Sequence, residues 1–259
     1  MIRTYTNGCW KEYEKLHEAI GLDMNQQNVV SLVGGGGKTT TMTRLQNEFY
    51  ASGVASIVTT TTHIQRLDEA WFLGEESMDT LQHLLGEYGK VWMGEVTPKG
   101  KLKSFSEAYL REVIGLGHTV FIEADGARRL PCKAPGPEEP VFMPETSVVL
   151  SVYGMDAIGK KICDTCFRPE LVAEILGKGE NEILTPHDIA VLAADERGGR
   201  KNVTKNMRYQ VILNKADGEI ERLAAEEIAV KLNERGVERI HMTSNLFDLG
   251  KVKFGKLKI

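Results

Sequence analysis

A run of four glycines between an apolar segment and a helical segment constrains the fold of this chain more than any other feature. Residues 28–33 are largely apolar and β-branched, as in a buried strand, and residues 38–51 have helical spacing. The turn between them and the start of the helix contain Gly34, Gly35, Gly36, Gly37, Lys38, Thr39 and Thr40. The sequence therefore predicts a strand, a tight turn and a helix.

A turn of this kind can hold phosphate groups. Glycines let successive backbone N–H groups point at phosphate oxygens, and the helix N-terminus adds a partial positive charge. We expect Lys38 to reach the outer phosphates and the Thr39 hydroxyl to bind Mg²⁺. Leu32 stands where the usual consensus has its first glycine. The glycine-dense form ending in GKTTT instead resembles loops of nucleotide hydrolases related to signal-recognition-particle, cell-division and metal-insertion proteins.

Two carboxylates end a second apolar strand, in the segment FIEADG at residues 121–126. Ligands of a parallel sheet sit at the carboxyl ends of its strands, so Glu123 and Asp125 should lie beside the phosphates. We expect Asp125 to bind the metal through water and Glu123 to position a nucleophilic water. The candidate catalytic residues are therefore Lys38, Asp125 and Glu123. The alternative is that both acids are solvated ends of the strand.

The segment NKAD closes a further apolar strand and matches the base-reading sequence of guanine-nucleotide proteins. The Asp217 carboxylate can accept from guanine N1–H and from its 2-amino group, while Lys215 packs over the ring and Asn214 links the loops. Adenine lacks those donors and would leave a desolvated carboxylate unpaired. The sequence therefore predicts GTP as the ligand, with ATP as the alternative.

Strands and helices alternate along the rest of the chain, which indicates an α/β fold with a mainly parallel sheet. We predict a P-loop NTPase-like three-layer domain over residues 28–259, with six to eight strands. Helical spacing from Trp10 to Ile20 predicts that residues 1–27 form an N-terminal helical extension. Residues 128–144 contain five of the eight prolines and should form a long surface loop.

Three basic residues lie in this proline-rich loop. Arg128, Arg129 and Lys133 are candidates for holding an anionic ligand or partner, and the alternative is an ordinary solvated loop.

Composition excludes several classes of protein. The net charge of -4 argues against a nucleic-acid binder, and neither an apolar run of about 18 residues nor a signal peptide is present, so we expect a cytoplasmic protein that does not enter the membrane. The four cysteines are too few for a disulfide framework. Cys163 and Cys166 have metal-like spacing without a second pair.

Several segments together resemble the YqeC family, whose members are described as selenium-dependent hydroxylase accessory proteins. They are VGGGGKTTT, TTTTH, EADGARRLPCKAPGPEEP, YGMDAIGK, FRPELVAEILG, TPHDIA and NKAD, spread over about residues 29–245. Phe167 is a departure, since the family pattern has a histidine beside Arg168. The resemblance implies a P-loop protein that serves the maturation of molybdenum hydroxylases, with such a hydroxylase or its cofactor-maturation proteins as partners.

The expected activity is magnesium-dependent binding and hydrolysis of GTP or ATP. One alternative is a nucleotide-gated scaffold without significant catalysis. Another is a kinase or nucleotidyl transferase acting on a small cofactor, with Arg128, Arg129 and Lys133 holding the acceptor. The sequence leaves open whether the protein forms a homodimer.

Overall fold

The computed structural model describes residues 2–65, 69–98 and 100–244. Its strands are β1 (Ile2–Thr6), β2 (Cys9–Tyr13), β3 (Val29–Gly34), β4 (Ser56–Thr60), β5 (His63–Gln65), β6 (Phe72–Leu73), β7 (Lys90–Met93), β8 (Glu95–Val96), β9 (Lys101–Lys103), β10 (Thr119–Glu123), β11 (Cys132–Lys133), β12 (Val148–Gly154), β13 (Cys166–Phe167), β14 (Arg208–Asn214) and β15 (Ile240–Thr243). Residues 245–259, the end of the predicted domain, lie outside the described residues.

The α-helices are α1 (Leu16–Ile20), α2 (Lys38–Ala51), α3 (Met78–Tyr88), α4 (Glu107–Gly115), α5 (Ile162–Thr165), α6 (Pro169–Leu176), α7 (Pro186–Ala194) and α8 (Glu219–Glu234), and a 3₁₀ turn covers Met155–Ala157. No helix among the described residues is long and apolar enough to cross a membrane.

The predicted fold class is confirmed. One sheet has the strand order β2-β1-β15-β14-β12-β3-β10-β4-β7-β6, and its neighbours from β15 to β6 pair in parallel. The sheet has ten strands rather than the six to eight predicted, because β1 and β2 extend one edge in antiparallel pairing. Two small sheets, β11-β13 and β5-β9-β8, lie outside it.

Alternating side chains of the central strands pack against helices on opposite faces of the sheet. In β10, Phe121 joins the core formed with α2, whereas Val120 and Ile122 join the core formed with α3 and α4. In β14, Val211 joins the core formed with α7 and α8, and Ile212 joins that of α2. Because these strands pair in parallel, the carboxyl ends of β3, β10, β12, β14 and β15 form one edge, which holds the candidate site.

The helical prediction for residues 10–20 was wrong over its first half. Residues 10–13 belong to β2, and α1 covers only Leu16–Ile20. The turn between β1 and β2 is Asn7-Gly8, and both residues have positive φ, of 51° and 79°. An Asn-Gly pair is the strongest short hairpin signal, so the sequence contained the correct information and the helical spacing was misleading.

The proline-rich loop is not a surface segment along its whole length. Residues 131–134 are buried, and β11 within them pairs in parallel with β13. Pro131 and Leu130 accept hydrogen bonds from the backbone of Gly154 and Gly36, so this part of the loop packs against the sheet edge. Proline content correctly predicted that the segment forms neither a helix nor a central strand, but it did not predict the burial.

Candidate functional site

The glycine-rich loop leaves β3 at Gly34 and enters α2 at Lys38, as the sequence predicted. Gly36 has a φ of +72°, and a Cβ atom there would overlap the backbone of Gly154 at the end of β12. Glycine is therefore required at this position both by conformation and by space. The first turn of α2 carries N–H groups with no acceptor inside the helix, so the loop ends at a helix N-terminus with a positive dipole.

Two N–H groups of the loop donate to protein carbonyls rather than outward. Gly35 N donates to Val152 O at 2.9 Å, and Gly36 N donates to Leu130 O at 3.1 Å. The Leu130 carbonyl therefore accepts from the Gly36 N–H, which was expected to donate to phosphate.

Lys38 is buried among acceptors at the start of α2. Its side chain is 4% exposed, and its Nζ lies 3.0 Å from Asp125 Oδ1 and 3.7 Å from Glu123 Oε1. The same ammonium donates to Gly34 O at 2.5 Å. Burial would lower the pKa of Lys38, but Asp125 and Glu123 outweigh it and raise the pKa above its ordinary value.

Both predicted carboxylates lie beside the loop. Asp125 Oδ2 accepts from Gly34 N at 2.9 Å, and Glu123 Oε2 accepts from the Thr39 hydroxyl at 3.2 Å. Burial raises the pKa of Glu123, and Lys38 opposes this only in part. The structure thus places Lys38, Thr39, Glu123 and Asp125 close together, as the sequence predicted.

The same residues offer ligands for a hard cation. Asp125 Oδ1 is buried, and Lys38 Nζ lies 3.0 Å from it as an ion-pair partner. No cluster of three His, Cys, Asp or Glu side chains suited to a metal occurs in the described ranges. A hydroxyl and one or two carboxylates match Mg²⁺, which usually takes few protein ligands and completes its shell with water and phosphate oxygens.

Lys133 faces inward, contrary to the expectation that it holds an external anion. Its side chain is 1% exposed, and its Nζ lies 3.0 Å from Asp125 Oδ2 and 2.6 Å from Glu139 Oε2. It also donates to Gly126 O at 2.6 Å. These three acceptors use the three N–H donors of the ammonium, so Lys133 is committed to the protein.

Glu139 and Arg168 continue this network, and sequence reasoning missed both. Arg168 Nη1 lies 2.7 Å from Glu139 Oε2. Burial would raise the pKa of Glu139, but Arg168 and Lys133 outweigh it and lower the pKa to about 2. Charges therefore alternate from Asp125 through Lys133 and Glu139 to Arg168. No local pattern signals the last pair, because Glu139 and Arg168 are 29 residues apart in the sequence.

The two predicted arginines are exposed on the same loop. Arg128 and Arg129 both have positive φ, of 47° and 65°. The Arg128 guanidinium lies 4.9 Å from the centre of the Phe167 ring, and that of Arg168 lies 4.4 Å from it. Cation–π contacts of this kind hold the loop against the start of α6.

The NKAD segment lies at the end of β14 and is connected to the glycine-rich loop. Asn214 Nδ2 donates to Gly36 O at 2.8 Å, and Asn214 Oδ1 accepts from the Thr243 hydroxyl at 2.8 Å. The Asp217 carboxylate accepts from the Ser244 hydroxyl at 2.5 Å. One amide side chain thus ties together three strand ends.

Lys215 forms an ion pair that was not predicted. Its Nζ lies 2.8 Å from Asp156 Oδ2, in the 3₁₀ turn after β12. Asp156 belongs to the YGMDAIGK segment, so its position after an apolar strand was the available signal.

The cysteines do not form the pair suggested by their spacing. Cys163 is exposed, whereas Cys166 is buried and lies opposite Cys132 in the β11–β13 pairing. The hydrogen-bonding contact with the Cys166 thiol, and burial after it, raise the pKa of Cys132 well above its ordinary value, so this thiol stays protonated.

The fold and the glycine-rich loop define a three-layer α/β protein of the P-loop NTPase-like class. Comparison with known proteins gives the family: the profile described as YqeC protein matches residues 30–170. The chain belongs to the YqeC family. It is also 27% identical over 231 residues to a protein of Escherichia coli strain K12 named "Uncharacterized protein YqeC". The aligned region covers 86% of this chain and 90% of that protein.

Proposed function

We propose that the protein binds GTP with Mg²⁺ at the carboxyl edge of the sheet and hydrolyses it. The observation that carries this proposal is the Asn214 side chain, which donates to Gly36 O and accepts from Thr243. The proposed base-reading segment is hydrogen-bonded directly to the loop that would hold the phosphates. This bond fixes the distance between the two parts of the site, as recognition of a single nucleotide requires.

The roles of the site residues follow from their positions. The first-turn N–H groups of α2 and Lys38 would hold phosphate oxygens, and Thr39 with Asp125 would hold Mg²⁺. Bound Mg²⁺ would neutralise charge on the phosphates. Glu123 can accept a proton from water, because burial brings its pKa closer to neutral pH. Asp217, held by Ser244, would accept from the guanine edge.

Nucleotide selectivity tests the binding part of the proposal. Two donor contacts exist for guanine, and a carboxylate is stranded by adenine, so GTP should bind at least about tenfold more tightly than ATP, equivalent to about 1.4 kcal/mol. Equilibrium titration with fluorescent analogues of both nucleotides measures this ratio. Equal affinities would remove the guanine assignment and leave the phosphate site in place.

A pair of threonines one helical turn apart tests the hydrolysis part. Thr39→Ala removes the hydroxyl proposed to bind Mg²⁺, whereas Thr43→Ala removes a hydroxyl of the same helix that donates to Thr39 O at 2.9 Å. Phosphate release should fall at least about a hundredfold in the first variant and stay within about twofold in the second. Lys38→Ala is a poorer test, because it leaves two buried carboxylates without their shared cation. Phosphate release that Thr39→Ala leaves unchanged would rule out this role.

A nucleotide-gated scaffold is the second candidate, and the Leu130 contact favours it. Phosphate oxygens and Leu130 O compete for the Gly36 N–H, so nucleotide binding would displace the proline-rich loop. Hydrogen exchange of residues 127–140 should then rise with a non-hydrolysable GTP analogue. If this change occurs while the unmodified protein releases no phosphate, the scaffold replaces the hydrolase.

The cellular role rests on the family resemblance. We propose that nucleotide turnover serves maturation of a molybdenum hydroxylase. Loss of the gene should lower the activity of that enzyme in cell extracts without lowering its amount, and unchanged activity would refute this role.

A further inference from the structure

A large groove lies at the edge of the sheet opposite the candidate nucleotide site. It has a volume of about 1000 Å³ and is formed by the connection from α7 to β14, the start of β14 and the turn from α8 to β15. Its floor includes Val203, Met207 and Tyr209. The glycine-rich loop lies at the carboxyl ends of the strands, so the groove is separate from the site described above.

The groove concentrates positive charge on a chain whose net charge is -4. Its lining contains five cations and two acids, namely Arg200, Lys201, Lys205, Arg208, Arg239, Glu196 and Glu238. Among the residues for which the structure gives positions, none of these five cations has a carboxylate within ion-pair distance. Their charges are therefore available to a ligand.

The three arginines of the lining are held in place by neutral groups. Arg200 donates to Gly236 O at 2.9 Å, Arg208 to Gly21 O at 3.3 Å and Arg239 to Ile20 O at 3.2 Å. A carbonyl restricts the side chain without cancelling its charge. Less rotamer entropy is then lost when the guanidinium binds an anion.

The groove is also connected to the proline-rich loop. Lys201 donates to Gly136 O at 2.6 Å and to Pro137 O at 2.9 Å, and Asn202 donates to Pro140 O at 3.0 Å. Glu139 lies within the same stretch and belongs to the Asp125 network. Two residues of the groove lining, Lys201 and Asn202, therefore hold a segment that reaches the nucleotide site.

We propose that this groove binds an acidic segment of a partner protein. Guanidinium and ammonium groups match carboxylates, and the apolar floor accommodates the side chains between them. A nucleic acid places a negative charge at every phosphate and would meet Glu196 and Glu238 as well. A protein segment can instead place a neutral or basic residue opposite each of these acids.

The experiment measures binding of a fluorescein-labelled octapeptide rich in Glu and Asp by anisotropy, in the full chain at low salt. In the test variant, Lys205→Glu and Arg208→Glu are combined, since both side chains are exposed. The matched control combines Lys101→Glu and Lys161→Glu, which are exposed, lie outside the groove and change the net charge equally.

The unmodified protein and the control should bind the acidic peptide alike, and the test variant should bind it at least about tenfold more weakly. A peptide with Gln at every acidic position should not bind. Equal binding by the test variant, equal binding of the Gln peptide, or tighter binding of a single-stranded RNA octamer would each overturn the proposal. GTP affinity of the same protein variants, measured without peptide, should not change, so failure here is distinct from failure of the proposed nucleotide function.

Discussion

The buried ammonium of Lys133 allows a prediction of stability that does not depend on any ligand. Lys133→Met keeps most of the side-chain volume but removes the cation that contacts Asp125 at 3.0 Å and Glu139 at 2.6 Å. The Asp125 and Glu139 side chains are 3% and 18% exposed, so water cannot fully replace the lost partner. Removing one member of a buried ion pair costs about 3–5 kcal/mol.

The remaining partners place the expected loss at the lower end of this range. Asp125 keeps Lys38 and the Gly34 N–H, and Glu139 keeps Arg168. We therefore expect a loss of about 3 kcal/mol in the free energy of unfolding, which corresponds to about 6–12 °C in melting temperature for a chain of this size. Urea denaturation followed by circular dichroism measures it, with an unchanged dependence on urea concentration as the check on two-state unfolding.

A surface ion pair provides the matched control. Lys103→Met breaks a 2.9 Å pair with Glu95 whose side chains are 47% and 51% exposed, and such pairs contribute about 0.2–1 kcal/mol. In the double variant Lys133→Met with Glu139→Gln, the stranded charge is partly removed, so the loss should be smaller than the sum of the two single losses. A loss below about 1 kcal/mol for Lys133→Met, no greater than that of the control, would refute the reasoning.

Three further predictions concern the proposed guanine-binding residue Asp217, a buried histidine and the thiols. Asp217→Asn should weaken GTP binding at least about tenfold and favour xanthosine triphosphate, whose 2-oxo group accepts from the new amide; unchanged GTP affinity in titrations would contradict this. Burial, with a smaller effect of Arg239, lowers the pKa of His241 to about 3, so the folded state keeps the ring neutral. The contribution of His241 to the free energy of unfolding is fully present above about pH 6.5, where the unfolded chain also keeps the ring neutral. It decreases by up to about 1.4 kcal/mol per pH unit as the pH falls towards 3. His241→Gln should flatten this part of a pH series of urea denaturations, and an identical slope would contradict the assignment. A thiol reagent should modify Cys9 and Cys163 quickly and the buried Cys132 and Cys166 only on unfolding, whereas four equally fast thiols would contradict the burial.

Local sequence signals predicted most of the elements around the site. Thr185 followed by Pro186 is typical of a helix start, and the structure has a full capping box there with Asp188. The segment after the glycines indicated α2, which runs from Lys38 to Ala51 as predicted. These predictions succeeded because capping, turn formation and apolar periodicity are determined by residues within a few positions of one another.

Features that depend on distant contacts could not be predicted in the same way. Lys133 stands near two arginines in a proline-rich segment, a context typical of a solvated loop. Its direction is set by the pairing of β11 with β13, which joins Cys132 to Cys166 across more than thirty residues. The same pairing brings Arg168 to Glu139. Since neither strand has more than two residues, no periodic pattern marks them.

Leu130 lies in the loop that connects the proposed nucleotide site to the proposed partner-binding groove. Its carbonyl accepts from Gly36 N, and three residues later Lys133 contacts Asp125, so the proline-rich loop bonds to both the phosphate-type loop and the proposed metal ligand. Farther along the same loop, Gly136 O accepts a hydrogen bond from Lys201, which lines the groove. If phosphate displaces Leu130, the loop that Lys201 holds must also adjust, and an acidic partner bound at Lys201 would favour one of the two loop positions. By thermodynamic linkage, a partner that prefers the displaced loop would tighten GTP binding by the same factor as GTP tightens binding of the partner.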